Sequence, residues 1–283
     1  MDSRPVLLAV LAHPDDETFG MGGTLALYAR RGTEVHLVCA TRGEVGEVSP
    51  ELLSGFASIG ERREYELRCA AEVLGLAGVH FLDYRDSGMP GSQDNNHPLA
   101  LAAAPLEEVA GKVAGYIRSL KPQVVLTFDP IGGYKHPDHI AIQRATVRAF
   151  ELAGSPNFED ESPPYQPRKL YFHVMPRRLF RLVVRIMPLF GMDPHRFGRN
   201  QDIDLAALVE EDDFPVHAVI DVHSVAPQHE AATACHASQL GGGPPRRGPL
   251  SWIMRQFSRK EQFMRAYPPA EKGPRERDLF QGI

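Results

Sequence analysis

The chain has 283 residues, 43% of them hydrophobic and 24% charged, with a formal net charge of -5. Those values are ordinary for a globular protein and exclude a nucleic-acid binder that relies on a general basic surface. The length allows one large α/β domain or two smaller ones. No run approaches the ~20 apolar residues of a membrane span. The apolar stretch at 6–12 is short and lacks the cationic leader of a secretion signal, so a cytoplasmic location is expected. Three cysteines, Cys39, Cys69 and Cys235, are odd in number, widely spaced and without a CxxC pair. They suit a reducing compartment and predict neither a disulfide framework nor a thiolate metal site.

In chain order, "PVLLAVLA" (5–12) is a continuous apolar run, the pattern of a strand buried on both faces. "MGGTLALYARRG" (21–32) follows as a helix closed by Gly32, then "EVHLVCAT" (34–41) as a second strand. Helical spacing returns in 60–76, a short strand in 79–83, and a helix in 104–120. "QVVLTFDP" (123–130) is the best-defined strand, and 139–154 closes this half as a helix ending on glycine. The second half is less regular. Residues 155–168 form a proline-rich acidic loop, 169–175 and 216–222 further strands, 225–240 a helix, and 241–249 a surface loop. The alternation predicts βαβ units in a Rossmann-like, mostly parallel sheet flanked by helices. The expected division is a metal-binding core at 1–154 and a smaller, irregular C-terminal α/β extension at 155–283 that completes the same domain and shapes the substrate cleft.

Ligands of such sheets sit beyond the carboxyl ends of the strands. "AHPDDE" (12–17) and "DPIGGYKHPDH" (129–139) both fall there. Together they bring His13, Asp15, Asp16, His136, Asp138 and His139 to one end of the sheet. Two carboxylates about 4 Å apart repel by roughly 4 kcal/mol at an effective dielectric of 20. Asp15 beside Asp16 therefore asks for a compensating cation. A histidine and a carboxylate three residues apart, with a distant histidine, make a three-ligand set that leaves a position for water, as in catalytic zinc sites. The same set suits ferrous iron as an alternative metal.

These motifs resemble the LmbE/PIG-L-like zinc deacetylases, which remove N-acetyl groups from N-acetylglucosamine-containing molecules. The resemblance is close over 5–153 and continues through "YRDSGM" and "CHASQL". It implies His13, Asp16 and His139 as metal ligands, with Asp15 as the general base. It implies that His136 and Tyr134 stabilise the oxyanion or protonate the leaving amine, with Asp138 holding the His136 ring in its charged form. Arg63 and Asp86 match family positions near the sugar. His236 either faces the cleft or is a buried, hydrogen-bonded core histidine. Glu17 has no direct role to assign, and Lys135 either meets an anionic group or is solvated. The implied activity is removal of the N-acetyl group from a small-molecule GlcNAc-type conjugate. Alternatives are an amidase for a thiol conjugate or another N-acyl glycoside.

Two further features compete. "GMGGTLA" (20–26) invites a dinucleotide-binding reading, but Leu25 stands where the third glycine belongs. "PRRLFRLVVRIMPLF" (176–190) predicts a basic amphipathic helix. Arg177, Arg181 and Arg185 recur every four residues, with Phe180, Val183, Val184 and Met187 largely off that stripe. The segment at 177–187 could lie on an anionic membrane, mediate homo-oligomers or cap the cleft. It carries the non-enzyme alternative, a peripheral membrane or partner-binding module.

Overall fold

The computed structural model describes residues 4–175, 177–196, 204–206, 213–240, 259–271 and 273–283. The predicted loop at 241–249 lies outside the described residues, as do the side chains of Arg177, Phe180 and Val183. Among the described residues seven strands form one sheet: β1 (Val6–Leu11), β2 (Glu34–Cys39), β3 (Gly78–Phe81), β4 (Val124–Phe128), β5 (Lys169–Val174), β6 (Ala218–Asp221) and β7 (Lys260–Tyr267). Their spatial order is β3-β2-β1-β4-β5-β7-β6. The first five run parallel, and β7 is antiparallel to both its neighbours. β1 and β4 are buried along nearly their whole length, which is why both read as unbroken apolar runs. The chain leaves β1 for β2 on one side and returns to β4 on the other. The loops after β1 and β4 therefore open a crevice at this switch point.

Among the described residues the α-helices are α1 (Asp16–Arg30), α2 (Pro50–Leu53), α3 (Ile59–Leu74), α4 (Leu106–Leu120), α5 (Gly132–Lys135), α6 (Pro137–Gly154), α7 (Arg177–Ile186) and α8 (Ala226–Cys235). α3 begins where the Ser58 hydroxyl accepts the Glu61 N–H at 3.1 Å and ends on Gly75 in the left-handed conformation. α4 buries Val109, Ala110, Val113, Ala114 and Ile117, one face of a helix, in the main core. Each such apolar side chain contributes about 1.5–3 kcal/mol when fully buried.

α1 starts at Asp16, five residues before the predicted Met21, and is interrupted at Met21 (φ -138°, ψ 23°). The predicted helix is its second half. Just after the break, the Glu261 carboxylate of β7 accepts the N–H groups of Gly23 and Thr24, at 3.0 and 2.8 Å. A Cβ at Gly23 would lie 2.7 Å from both Glu261 Oε1 and Val222 Cβ. Gly23 thus lets α1 pack against β7 and the chain after β6, and Gly22 lets it approach His229 of α8. They do not form a phosphate-binding loop.

The sequence expectation for the cysteines is overturned. Cys69 on α3 and Cys235 at the end of α8 form a disulfide, with Cα atoms 5.7 Å apart across a sequence separation of 166. Packing of α3 on α8 creates the pair, and linear spacing gives no sign of it. Cys39 is buried and forms no disulfide.

The basic segment is helical, as predicted. Its buried Val184 and Met187 cluster with Leu205 and pack against Tyr134, while Arg181 pairs with Asp213 at 3.4 Å. Of the roles open to it, these contacts support a cap on the loop after β4. No helix among the described residues is long and apolar enough to cross a membrane.

The C-terminal segment is tied to β5 and β7 through Glu276. Its carboxylate accepts from Lys169 Nζ at 2.8 Å, the Tyr171 hydroxyl at 2.6 Å and Arg265 Nη1 at 2.8 Å. Burial works against this charge, but Lys169, Tyr171 and Arg265 together hold its pKa below the usual glutamate value. A hydrogen bond to a charged group is worth about 1.5–3 kcal/mol, so Glu276→Gln is expected to cost about 2 kcal/mol in urea unfolding at pH 7. A carboxyl depressed in the folded state stabilises above its unfolded pKa and loses that contribution as pH falls through the folded value. The gap between wild type and variant should therefore close in acid.

Candidate metal and catalytic site

His13, Pro14 and Asp15 form the turn between β1 and α1. Asp15 is a non-glycine residue at φ 124°, a strained conformation that costs about 1–3 kcal/mol and persists only where the surroundings impose it. Facing this turn, Asp129 closes the loop after β4, its Oδ1 accepting from Ile131 N at 3.2 Å and Gly133 N at 2.8 Å. α6 then opens at Pro137, with the His136 ring as its cap: Nδ1 accepts the Asp138 N–H at 3.1 Å. The first turns of α1 and α6 thus meet over β1 and β4, where their N-terminal dipoles favour carboxylates.

Three side chains converge there. His13 Nδ1 and His139 Nε2 are 3.2 Å apart. Asp16 places Oδ2 at 3.5 Å from His13 Nδ1 and Oδ1 at 3.2 Å from His139 Nε2. Zn–N and Zn–O bonds of about 2.0–2.2 Å put neighbouring tetrahedral ligands roughly 3.3–3.5 Å apart, so the spacing fits a single metal ion. His136 also lies within ligand distance of His13 and His139, all three buried. The opposite edge of His13 meets carboxylates: Nε2 is 3.1 Å from Asp138 Oδ2 and 3.5 Å from Asp86 Oδ1. A carboxylate behind a histidine fixes the tautomer that leaves the other nitrogen for the metal. Burial disfavours a charge on His13, yet Asp86, Asp138 and Asp16 outweigh it and raise its pKa well above the usual value. The cluster is built to receive positive charge. On Asp16, burial is likewise outweighed, by His139 and His13, and its carboxyl stays well below the ordinary range.

Asp15 lies beside this set and is held from outside it. Arg63 of α3, only 5% exposed, donates to Asp15 Oδ2 at 3.1 Å, to the Pro14 carbonyl at 2.8 Å and to the Gly43 carbonyl at 3.0 Å. Gly43 sits at φ 66°, and a Cβ there would overlap the guanidinium. Burial pushes the Asp15 carboxyl up to about 6, with Arg63 pulling it down and the Asp16 charge adding to the rise. A carboxylate near neutrality suits a base at physiological pH.

The structure places the remaining residues as follows. Asp138 turns to His13 and to Ser87, whose N–H it accepts at 2.9 Å and whose hydroxyl donates to its other oxygen. It does not hold the His136 ring, contrary to expectation. Burial and the charges of His13 and His139 lower the His136 pKa, so the ring is neutral rather than charged. Tyr134 stands over the cluster, its ring centroid 4.9 Å from that of His139, and burial raises its pKa so that it keeps its proton. Arg63 and Asp86 flank the cluster, Arg63 paired with Asp15 at 3.1 Å and Asp86 Oδ1 3.5 Å from His13 Nε2. His236 is the buried histidine of the two readings: it is 0% exposed and its Nε2 lies 2.7 Å from Glu17 Oε1. Lys135 is exposed. Ser87, missed as a contributor, lies inside "YRDSGM" directly after Asp86.

Residues 8–150 match the family described as GlcNAc-PI de-N-acetylase (PIG-L). The chain is 38% identical over 292 residues to the 1D-myo-inositol 2-acetamido-2-deoxy-alpha-D-glucopyranoside deacetylase of Thermobifida fusca, covering 99% of this chain and 100% of that one. The enzyme of the same name from Streptomyces avermitilis is 36% identical, with 98% and 97% covered. Among solved structures, N,N'-diacetylchitobiose deacetylase from Pyrococcus horikoshii superposes with a TM-score of 0.62 at 20% identity, over 93% of this chain and 84% of that one. GalB, the 4-carboxy-2-hydroxymuconate hydratase of Pseudomonas putida, superposes at 0.61 and 21% identity, over 95% and 99%. Those two likenesses are of fold alone, and they join a deacetylase to a hydratase. Sequence match, full-length relatives and the His/Asp cluster agree: the chain belongs to the GlcNAc-PI de-N-acetylase family and is a deacetylase, a hydrolase of amide bonds.

Proposed function

We propose that the protein is a zinc-dependent deacetylase of a small 2-acetamido-2-deoxy-glucopyranoside whose aglycone is a polyol of the inositol type. The observation that carries this reading is the convergence of His13, Asp16 and His139 beside an Asp15 that binds no partner of that set. The full-length relatives supply the substrate class. His13, Asp16 and His139 would hold the metal; when bound, it polarises the amide carbonyl and makes water acidic enough to lose a proton near neutrality. Ferrous iron would serve the same ligands.

Asp15 takes the proton of the attacking water as its oxygen bonds to the acetyl carbon. His136 accepts a backbone N–H at Nδ1, so the neutral ring carries its proton on Nε2 and offers it as a donor. That donor and the Tyr134 hydroxyl stabilise the negative oxygen of the tetrahedral species, an effect typically worth about 2.7–4 kcal/mol per group. Asp15 then returns its proton to the nitrogen as the C–N bond breaks, giving acetate and the free amine. Asp86 and Asp138 orient His13. The 1–154 core carries this chemistry, and residues 155–283 complete the domain and shape the rim where the aglycone lies.

A substrate panel tests the aglycone. With zinc-loaded protein, kcat/KM is expected to be highest for N-acetylglucosaminyl-inositol and at least 10-fold lower for N,N'-diacetylchitobiose and free N-acetylglucosamine. A preference for the disaccharide would contradict the polyol assignment.

A further inference from the structure

Glu17 and His236 are both fully buried, and neither has a part in the chemistry above. A carboxylate inside a protein is costly unless its oxygens are satisfied. Glu17 Oε1 accepts from the Thr18 hydroxyl at 2.5 Å and from His236 Nε2 at 2.7 Å. Those two contacts alone would make an ordinary buried pair. The second oxygen sets it apart: Oε2 accepts the peptide N–H of Asp15 at 3.0 Å. That N–H belongs to the residue at φ 124°.

The other support of Asp15, Arg63, comes from α3, and His236 is anchored to the same helix. Cys235, directly before His236, is bonded to Cys69 of α3. Two residues after it, Ser238 donates its N–H to Glu66 Oε1 at 2.8 Å and its hydroxyl to Glu66 Oε2 at 2.5 Å. Glu66 is itself a fully buried residue of α3. α3 therefore grips Asp15 twice, at the carboxylate through Arg63 and at the backbone through His236 and Glu17. This also accounts for α8 ending at Cys235: the chain must leave the helix to bring His236 and Ser238 back onto α1 and α3.

We propose that Glu17 and His236 are a positioning pair for the reaction, imposing the strained backbone of Asp15 so that its carboxylate stays off the metal ligands and aimed at the water. The proposal rests on the assignment of Asp15 as the base. Released from Glu17, the peptide at Asp15 relaxes and the carboxylate swings, while His13, Asp16 and His139 keep their own contacts.

The test uses the zinc-loaded full chain. His236→Ala is expected to lower kcat about 10- to 100-fold, with KM within threefold of wild type and zinc content unchanged. His236→Gln, whose amide can place an N–H near the position of Nε2, should recover most of the loss. A folded His236→Ala with wild-type kcat overturns the proposal, as does a rise in KM at constant kcat, which would make His236 a substrate contact. Zinc loss in proportion to kcat, unrescued by His236→Gln, would reduce the pair to a structural one. Amide exchange at Asp15 reads the same contact without substrate. It should be slow in wild type and His236→Gln and faster in His236→Ala, and unchanged exchange overturns the proposal. Wild-type protein that releases no acetate would instead contradict the deacetylase reading, leaving the exchange result to decide the positioning pair.

Discussion

Asp15→Asn is expected to lower kcat by about 10²- to 10⁴-fold, the usual contribution of a general base, while zinc content stays at the wild-type level. Asparagine has the shape of aspartate, and the contacts to the Asp15 N–H and the Pro14 carbonyl do not depend on the side-chain charge, so the turn after β1 should survive. Its amide oxygen can still accept from Arg63, which now donates to Asp15 Oδ2 at 3.1 Å. What disappears is the ability to take a proton. The readout is therefore a pair: steady-state turnover, and metal content by elemental analysis of the same sample. Near-wild-type turnover would remove Asp15 from the mechanism. Loss of metal along with turnover would make it a ligand, and the assignment of Asp16 would have to be revised.

His139→Ala should do the reverse, abolishing tight metal binding and, with it, activity. His139 Nε2 is 3.2 Å from both His13 Nδ1 and Asp16 Oδ1, so its removal opens one side of a three-donor set. The ring is 2% exposed and stacks on Phe128 at a centroid distance of 3.9 Å, so the variant also loses packing. Thermal denaturation with and without zinc separates the two effects. A metal present at 100 times its dissociation constant stabilises the folded state by about 2.7 kcal/mol. The wild type should show that rise in Tm and the variant should not, whatever its baseline. An equal zinc-dependent rise in both proteins would mean that the ligand set is different, with His136 the nearest replacement.

The parallel half of the sheet and the ends of its strands were legible because β1 and β4 are apolar on both faces, and HPDD and HPDH follow them directly. What remained hidden depended on contacts between distant segments. β7 reads as a polar stretch, "KEQFMRAY", because its buried Glu261 faces inward to accept the N–H groups of Gly23 and Thr24 on α1. No local pattern announces a glutamate whose partners lie 238 residues away. The disulfide is invisible for the same reason. Within the site, the residue types were legible but their pairings were not. Asp138 stands two residues from His136, and the family resemblance implied that pair. Helix geometry instead gives the His136 ring the Asp138 N–H and sends the carboxylate across to His13 and Ser87. Glu17 had no direct role legible in the sequence, because its partner His236 lies 219 residues on.

The central claim is that this chain hydrolyses an N-acetyl group at a metal held by His13, Asp16 and His139. The most direct measurement is acetate release from N-acetylglucosaminyl-inositol by one preparation in three states: zinc-loaded, stripped by chelator, and stripped then reloaded. The account predicts stoichiometric acetate and free amine from the first and third and none from the second. Equal release in all three states, or no release from protein shown to carry one zinc, would contradict it.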